Sequence, residues 1–178
     1  EDTSGLPRGS ILKTAFAADL LPLAVTGRMS DEAWRLEVIE RLQAAYPEAD
    51  ARRAVARWSA SPGVINQPVL DLLRQRRVPV VLVTNATTRL PQDLKALGLD
   101  AEFNHVINSS AVGVAKPDPG IFTAALQALD LPADQVLFVD DDPGHVAAAE
   151  VLGIRAYHFS GDAPELGDLF RTLNIVST

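Results

Sequence analysis

Over residues 10–60 apolar positions recur at spacings of three and four. Trp34, Val38, Ile39 and Leu42 share one face of a helix that Ser30 is placed to cap and that opens with Asp31 and Glu32. The spacing predicts a small helical bundle. Residues 1–9, EDTSGLPRG, are polar and turn-rich and read as a linker. The helical pattern breaks at SPGVIN, residues 61–66, and the character of the chain then changes. QPVLDLLRQRR, residues 67–77, has helical spacing, and VPVVLVT, residues 78–84, is a short β-branched run that predicts a strand. A helix over 90–97 with Gly98 as its C-cap and a strand at HVIN, residues 105–108, follow. Next come a helix over 120–129, a strand over 136–139, a helix over 144–152 stopped by Gly153 and a strand over 154–159. Strands alternating with helices of about three turns predict an α/β fold whose parallel sheet is covered on both faces.

Composition narrows the function. The 178 residues carry 16 basic and 23 acidic side chains, a formal charge of −7, and the basic residues form no long cluster. A nucleic-acid backbone is therefore not an expected partner. The chain has no cysteine, which excludes disulfides, thiol nucleophiles and cysteine-based metal sites. AFAADLLPLAV is broken by Asp19 and Pro22, and VPVVLV is far too short to span a bilayer, so no membrane segment is expected and the cytoplasm is the expected compartment.

Ligands of open parallel sheets bind beyond the carboxyl ends of the strands, and three predicted strand-end loops carry polar groups. In VTNATT, Thr84 offers a hydroxyl and the backbone N–H of Asn85 can face an anion; a threonine or asparagine there also serves as a helix cap. In GVAKPDPGIF, Asp118 followed by Pro119 reads as an N-cap with proline at the first helical position, which holds Lys116 just before a helix N-terminus. A cation there can stabilise an oxyanion, although a lone lysine is more commonly a solvated surface residue. In VLFVDDDPGH, Asp142 before Pro143 has the same cap form, which leaves Asp140 and Asp141 adjacent at a strand end. Two carboxylates so close repel each other unless solvated or neutralised, and a hard divalent ion such as Mg2+ would offset that repulsion. His105, His145 and His158 are scattered, and His158 is expected to be packed or exposed on a strand edge rather than to be a ligand. Trp34 and Trp58 are expected in the core.

Taken in order, strand-Thr-Asn, Lys-Pro, strand-Asp-Asp, an alanine-rich helix and LGIRAYHF, the chain resembles the haloacid dehalogenase (HAD) superfamily. The match covers residues 61 to about 159, and residues 10–60 resemble the helical cap that many members insert after their first strand. The resemblance implies a Rossmann-like parallel core over residues 61–178 with a helical cap over 10–60. It implies that Thr84 and Asn85 bind a substrate phosphate, that Lys116 neutralises nucleophile and phosphate, and that Asp140 and Asp141 hold Mg2+. The implied reaction is hydrolysis of a small phosphorylated metabolite through an aspartyl-phosphate.

Two departures qualify the resemblance. The first family motif, an apolar strand ending D-x-D-x-[TV] whose acids are nucleophile and general acid/base, is absent; Asp2 precedes a threonine, but no strand leads into it. In the family that strand is central, between the strands ending here in Thr84 and Asp140. Without it two inner rows of backbone groups would go unpaired, at on the order of 1 to 3 kcal/mol for each buried group. The expectation is that a strand bearing the nucleophile lies outside these residues and that the 178 residues alone are inactive. The second departure is His145, at a position where the family usually has Asp or Asn; it is read as a solvated helix residue. Two alternatives remain: a 2-haloacid dehalogenase, which needs no metal, and a non-catalytic protein that keeps the fold for binding.

Overall fold

The computed structural model describes residues 4–60 and 63–176; the start of the predicted break at Ser61 and the ends of the chain lie outside the described residues. Helices α1 (Ser10–Ala15), α2 (Leu21–Val25), α3 (Asp31–Ala45) and α4 (Ala51–Trp58) form one layer around a shared apolar cluster. Ser30 caps α3 as expected, its hydroxyl accepting the Ala33 N–H at 3.2 Å, and Asp50 caps α4 by accepting from Arg53 N–H at 3.0 Å. Trp34, Val38 and Leu42 are buried on one face of α3. The Trp34 indole N–H donates to the Ala15 carbonyl, and Trp58 packs edge-on at 5.7 Å between ring centroids. Trp34 is a core residue, and Trp58 is half-buried against the core. The turn-rich segment before α1 also joins this layer: the Ser4 carbonyl accepts from Asp50 N–H, and Leu6 packs on the cluster.

The remainder alternates as the sequence predicts: α5 (Gln67–Arg74), β1 (Val81–Thr84), α6 (Leu90–Ala96), β2 (His105–Asn108), α7 (Ser109–Val112), α8 (Pro119–Leu129), β3 (Leu137–Asp140), α9 (Pro143–Val151), β4 (Arg155–His158) and α10 (Ala163–Thr172). Strand β1 starts three residues later than predicted because Val80 is engaged elsewhere. Its N–H donates to the Asn104 side chain and its carbonyl accepts the Asn104 N–H, which takes it out of the ladder. Strand β3 runs one residue further than predicted, so Asp140 is itself a strand residue. Helices α7 and α10 were not predicted. Their starts are set by Asn108, which accepts from Ser110 N–H, and by Asp162, which accepts from Glu165 N–H.

The strands form two separate parallel pairs. Val81 to Thr84 pair with His105 to Asn108, and Leu137 to Asp140 pair with Arg155 to His158. Side chains alternate between two apolar clusters. Val83, Ile107 and Phe138 pack with α8 and α9 around Phe122, while Leu137 and Val139 pack with α5 and α10 around Leu166 and Phe170. Among the described residues no strand pairs with the remaining edges of β1 and β3. Those edges line one apolar cleft of about 480 Å³, with Phe122 and Leu126 on one side and Leu166 and Phe170 on the other. No helix among the described residues is long and apolar enough to cross a membrane.

Phe122 is 1% exposed and meets Phe138 edge-on at 5.2 Å between ring centroids, which makes it the common wall of the cleft and of the α8–α9 cluster. Phe122→Ala is expected to cost about 3 to 5 kcal/mol. Urea unfolding checks this as a lower midpoint; an unchanged midpoint would mean that the cluster carries little of the stability.

Candidate functional site

The carboxyl ends of β1 and β3 meet at Lys116. Its backbone is held on both sides by the Asn85 side chain: Lys116 N–H donates to Asn85 Oδ1 at 2.7 Å, and Asn85 Nδ2 donates to the Lys116 carbonyl at 2.9 Å. The lysine then reaches across, and Nζ donates to Asp140 Oδ2 at 2.6 Å. Both partners are nearly enclosed, with 10% of the Lys116 side chain and 8% of the Asp140 side chain exposed, and Lys116 Nζ lies 5.7 Å from the Phe138 ring centre. The helix start that the sequence predicts is present: Asp118 accepts from Gly120 N–H at 2.8 Å.

Asp140 is satisfied at both oxygens. Oδ1 accepts the Asp142 N–H at 2.9 Å and faces His145 Nδ1 at 3.0 Å. Burial pushes this carboxyl up, but Lys116, the Asp142 N–H and His145 together outweigh burial and hold it below the usual carboxylate range. His145 is therefore not a solvated helix residue. Asp142 caps α9 by accepting from the Gly144 and His145 N–H groups, and the first turn that this cap fixes brings the imidazole back over the strand end. The spacing of five residues across a cap-then-proline start was the available signal.

The other expected residues divide. Thr84 ends β1, half-buried and in register with Asn108. The Asn85 side chain is occupied with the Lys116 backbone, a role that sequence reasoning did not foresee. Asp141 is exposed, and its carbonyl lies 3.0 Å from Nε2 of the exposed His158. Loop 84–89 is stitched from behind: Asn108 Nδ2 donates to the Thr87 carbonyl at 3.0 Å and Ala86 N–H donates to Ser109 Oγ at 3.0 Å. Ser109 is fully buried.

Among the described residues no group of three or more His, Cys, Asp or Glu side chains gathers as a metal site. The donor chemistry of Asp140 and Asp141 nonetheless fits Mg2+. That ion takes oxygen ligands and is commonly bound by one or two carboxylates, with water and substrate oxygens filling its other positions.

Residues 17–153 match the sequence profile of haloacid dehalogenase-like hydrolases. The mouse haloacid dehalogenase-like hydrolase domain-containing protein 3 is 30% identical over 151 residues, which cover 78% of this chain and 59% of that protein. A phosphoserine phosphatase from Thermus thermophilus is 33% identical over 113 residues, covering 62% of this chain and 39% of the relative. The chain thus spans less than two thirds of either relative's length. In three dimensions it is similar to a HAD family enzyme from Bacteroides thetaiotaomicron solved with magnesium and inorganic phosphate. That structure has a TM-score of 0.67 at 18% identity, with 88% of this chain and 89% of that one covered.

Lys116→Met leaves Asp140 buried with His145 and one N–H, and is expected to cost on the order of 3 kcal/mol at pH 7. Because the Asp140 carboxyl is held low in the folded state, its contribution is present above about pH 4 and is lost as the pH falls through its folded value. Thermal melts of Asp140→Asn should therefore lack part of the acid-side loss of stability. Parallel curves for the two proteins from pH 7 down to 2 would contradict this.

Proposed function

The chain belongs to the haloacid dehalogenase-like hydrolases, and from that premise we propose a Mg2+-dependent phosphatase of a small phosphorylated metabolite, working in the cytoplasm. The observation that carries the reading is the enclosed Lys116–Asp140 pair at the joined carboxyl ends of β1 and β3. It sets a buried cation beside the half-buried Thr84 loop, the arrangement an oxyanion needs in a site of low dielectric. The likeness to a phosphoserine phosphatase supports the phosphate ester class.

Thr84 and the backbone of loop 84–89 bind the phosphate, and Lys116 neutralises its charge as the ester is attacked. Asn85 keeps Lys116 in place through its two backbone hydrogen bonds. Asp140 and Asp141 would hold the magnesium ion, which when bound offsets charge on the phosphoryl oxygens. His145 orients Asp140 from the side opposite Lys116. The nucleophile comes from outside these 178 residues, on an apolar strand seated in the cleft between β1 and β3, whose unpaired edges and apolar walls suit such an occupant. The first aspartate at the end of that strand attacks phosphorus, and the ester oxygen leaves with a proton from the strand's second acid; that acid then takes a proton from the water that cleaves the acyl phosphate, which releases inorganic phosphate and restores the carboxylate. The helical layer α1–α4 acts as the cap that excludes bulk water and selects the substrate.

The full-length protein with Mg2+ should release phosphate from members of a panel of phosphate monoesters, lose activity to a chelator, and fall at least about a hundredfold on Lys116→Ala. Chelator-insensitive chloride release from a 2-chloroalkanoate would make it a dehalogenase instead. Ligand binding with no turnover of either class would make it a non-catalytic binding protein.

A further inference from the structure

Helix α3 opens with an acid that the site does not use. Asp31 is 4% exposed and lies on the buried face of α3 with Trp34, Val38 and Leu42, where a carboxylate needs partners. Its carboxylate pairs with Arg35 one turn along α3, and Oδ1 accepts from the Thr87 hydroxyl at 2.8 Å. Its backbone N–H donates to Thr88 Oγ1 at 2.9 Å. The helix start is thus bound to two consecutive residues of loop 84–89, the loop that begins with Thr84. Two further ties run the same way. Arg89 Nη1 donates to the Ser59 carbonyl at the end of α4. Gly27 has φ of 71°, and a Cβ placed there would lie 2.0 Å from the Ser110 carbonyl oxygen in α7, behind the same loop.

We propose that Asp31 is a positioning residue: it ties the helical layer to loop 84–89, so that seating of α3 and ordering of the anion-facing loop are one event. The carboxylate is suited to this because it holds a cation on its own helix and a hydroxyl on the other layer at once. An enclosed acid between two such partners is worth more than the same contacts in water. The loop is then fixed from two sides, by Asn108 and Ser109 behind and by Asp31 in front. The inference deepens the function proposed above, on which its phosphate readout rests.

The test is amide hydrogen exchange across residues 84–89 in the full-length protein, together with affinity for inorganic phosphate. Asp31→Ala and Thr87→Val should each speed exchange of the loop by about tenfold, and the double variant should be no faster than either single one, because one shared contact has been removed. Asp31→Asn, which keeps an acceptor for Thr87, should restore most of the protection. Gly27→Ala should loosen the same loop by lifting the layer from α7. In each loosened variant phosphate affinity should fall by a similar factor. If Asp31→Ala does not fold, Thr87→Val alone carries the readout, since it leaves the Asp31–Arg35 pair intact. Loosening confined to α3 with the loop unchanged, or additive effects in the double variant, would overturn the tie. An intact loop response in a protein that binds no phosphate would support the tie and count against the phosphatase reading.

Discussion

The structure depends on how two half-sheets are held together without hydrogen bonds between them. The pairs β1–β2 and β3–β4 are each regular and parallel, and among the described residues they are joined by packing against α8, by the cluster in which α5 and α10 meet β3, and by the ion pair of Lys116 with Asp140. That bond lies at the end of the cleft, where an unpaired edge of each half meets apolar walls. Because it is enclosed, it is strong only while both groups stay charged and aligned, and Asn85, His145 and the Asp142 N–H supply the alignment. The same requirements that keep the halves in register place a cation beside the Thr84 loop. On the function proposed above, stability and chemistry draw on one set of contacts.

Much of this was legible from local signals. Cap-then-proline pairs at Asp118–Pro119 and Asp142–Pro143 mark the starts of α8 and α9, and a helix-then-strand alternation suffices for the class of fold. The crowding of Asp140, Asp141 and Asp142 was a fair pointer, since each turns out to differ in role: Asp142 caps, Asp140 is buried in a charge network, and Asp141 stands in solvent. What could not be read was set by distance in the chain. The Asn85 clamp on Lys116 spans 31 residues, and the Asp31–Thr87 contact spans 56. His145 lies close in sequence, yet its direction depends on the first turn of α9, which the cap alone sets. Helix α10 carried its own signal, Asp162 before an Ala-Pro start just after the strand predicted over 154–159.

The arrangement also explains why the helical layer bears on the chemistry. Its apolar cluster is separate from the two clusters of the α/β part, so packing alone would leave it free to move. Polar contacts from Asp31 and Arg89 and the close approach at Gly27 fall on the segments flanking Thr84 and Lys116. On the function proposed above, a cover attached at loop 84–89 would communicate with that loop directly.

The most direct measurement of the central claim is a crystal structure of the full-length protein grown with magnesium and inorganic phosphate. It should show a phosphate between Thr84 and Lys116, a magnesium ion on Asp140 and Asp141, and an extended apolar strand paired with both β1 and β3. Direct pairing of β1 with β3, with the cleft closed and the phosphate elsewhere, would contradict the account.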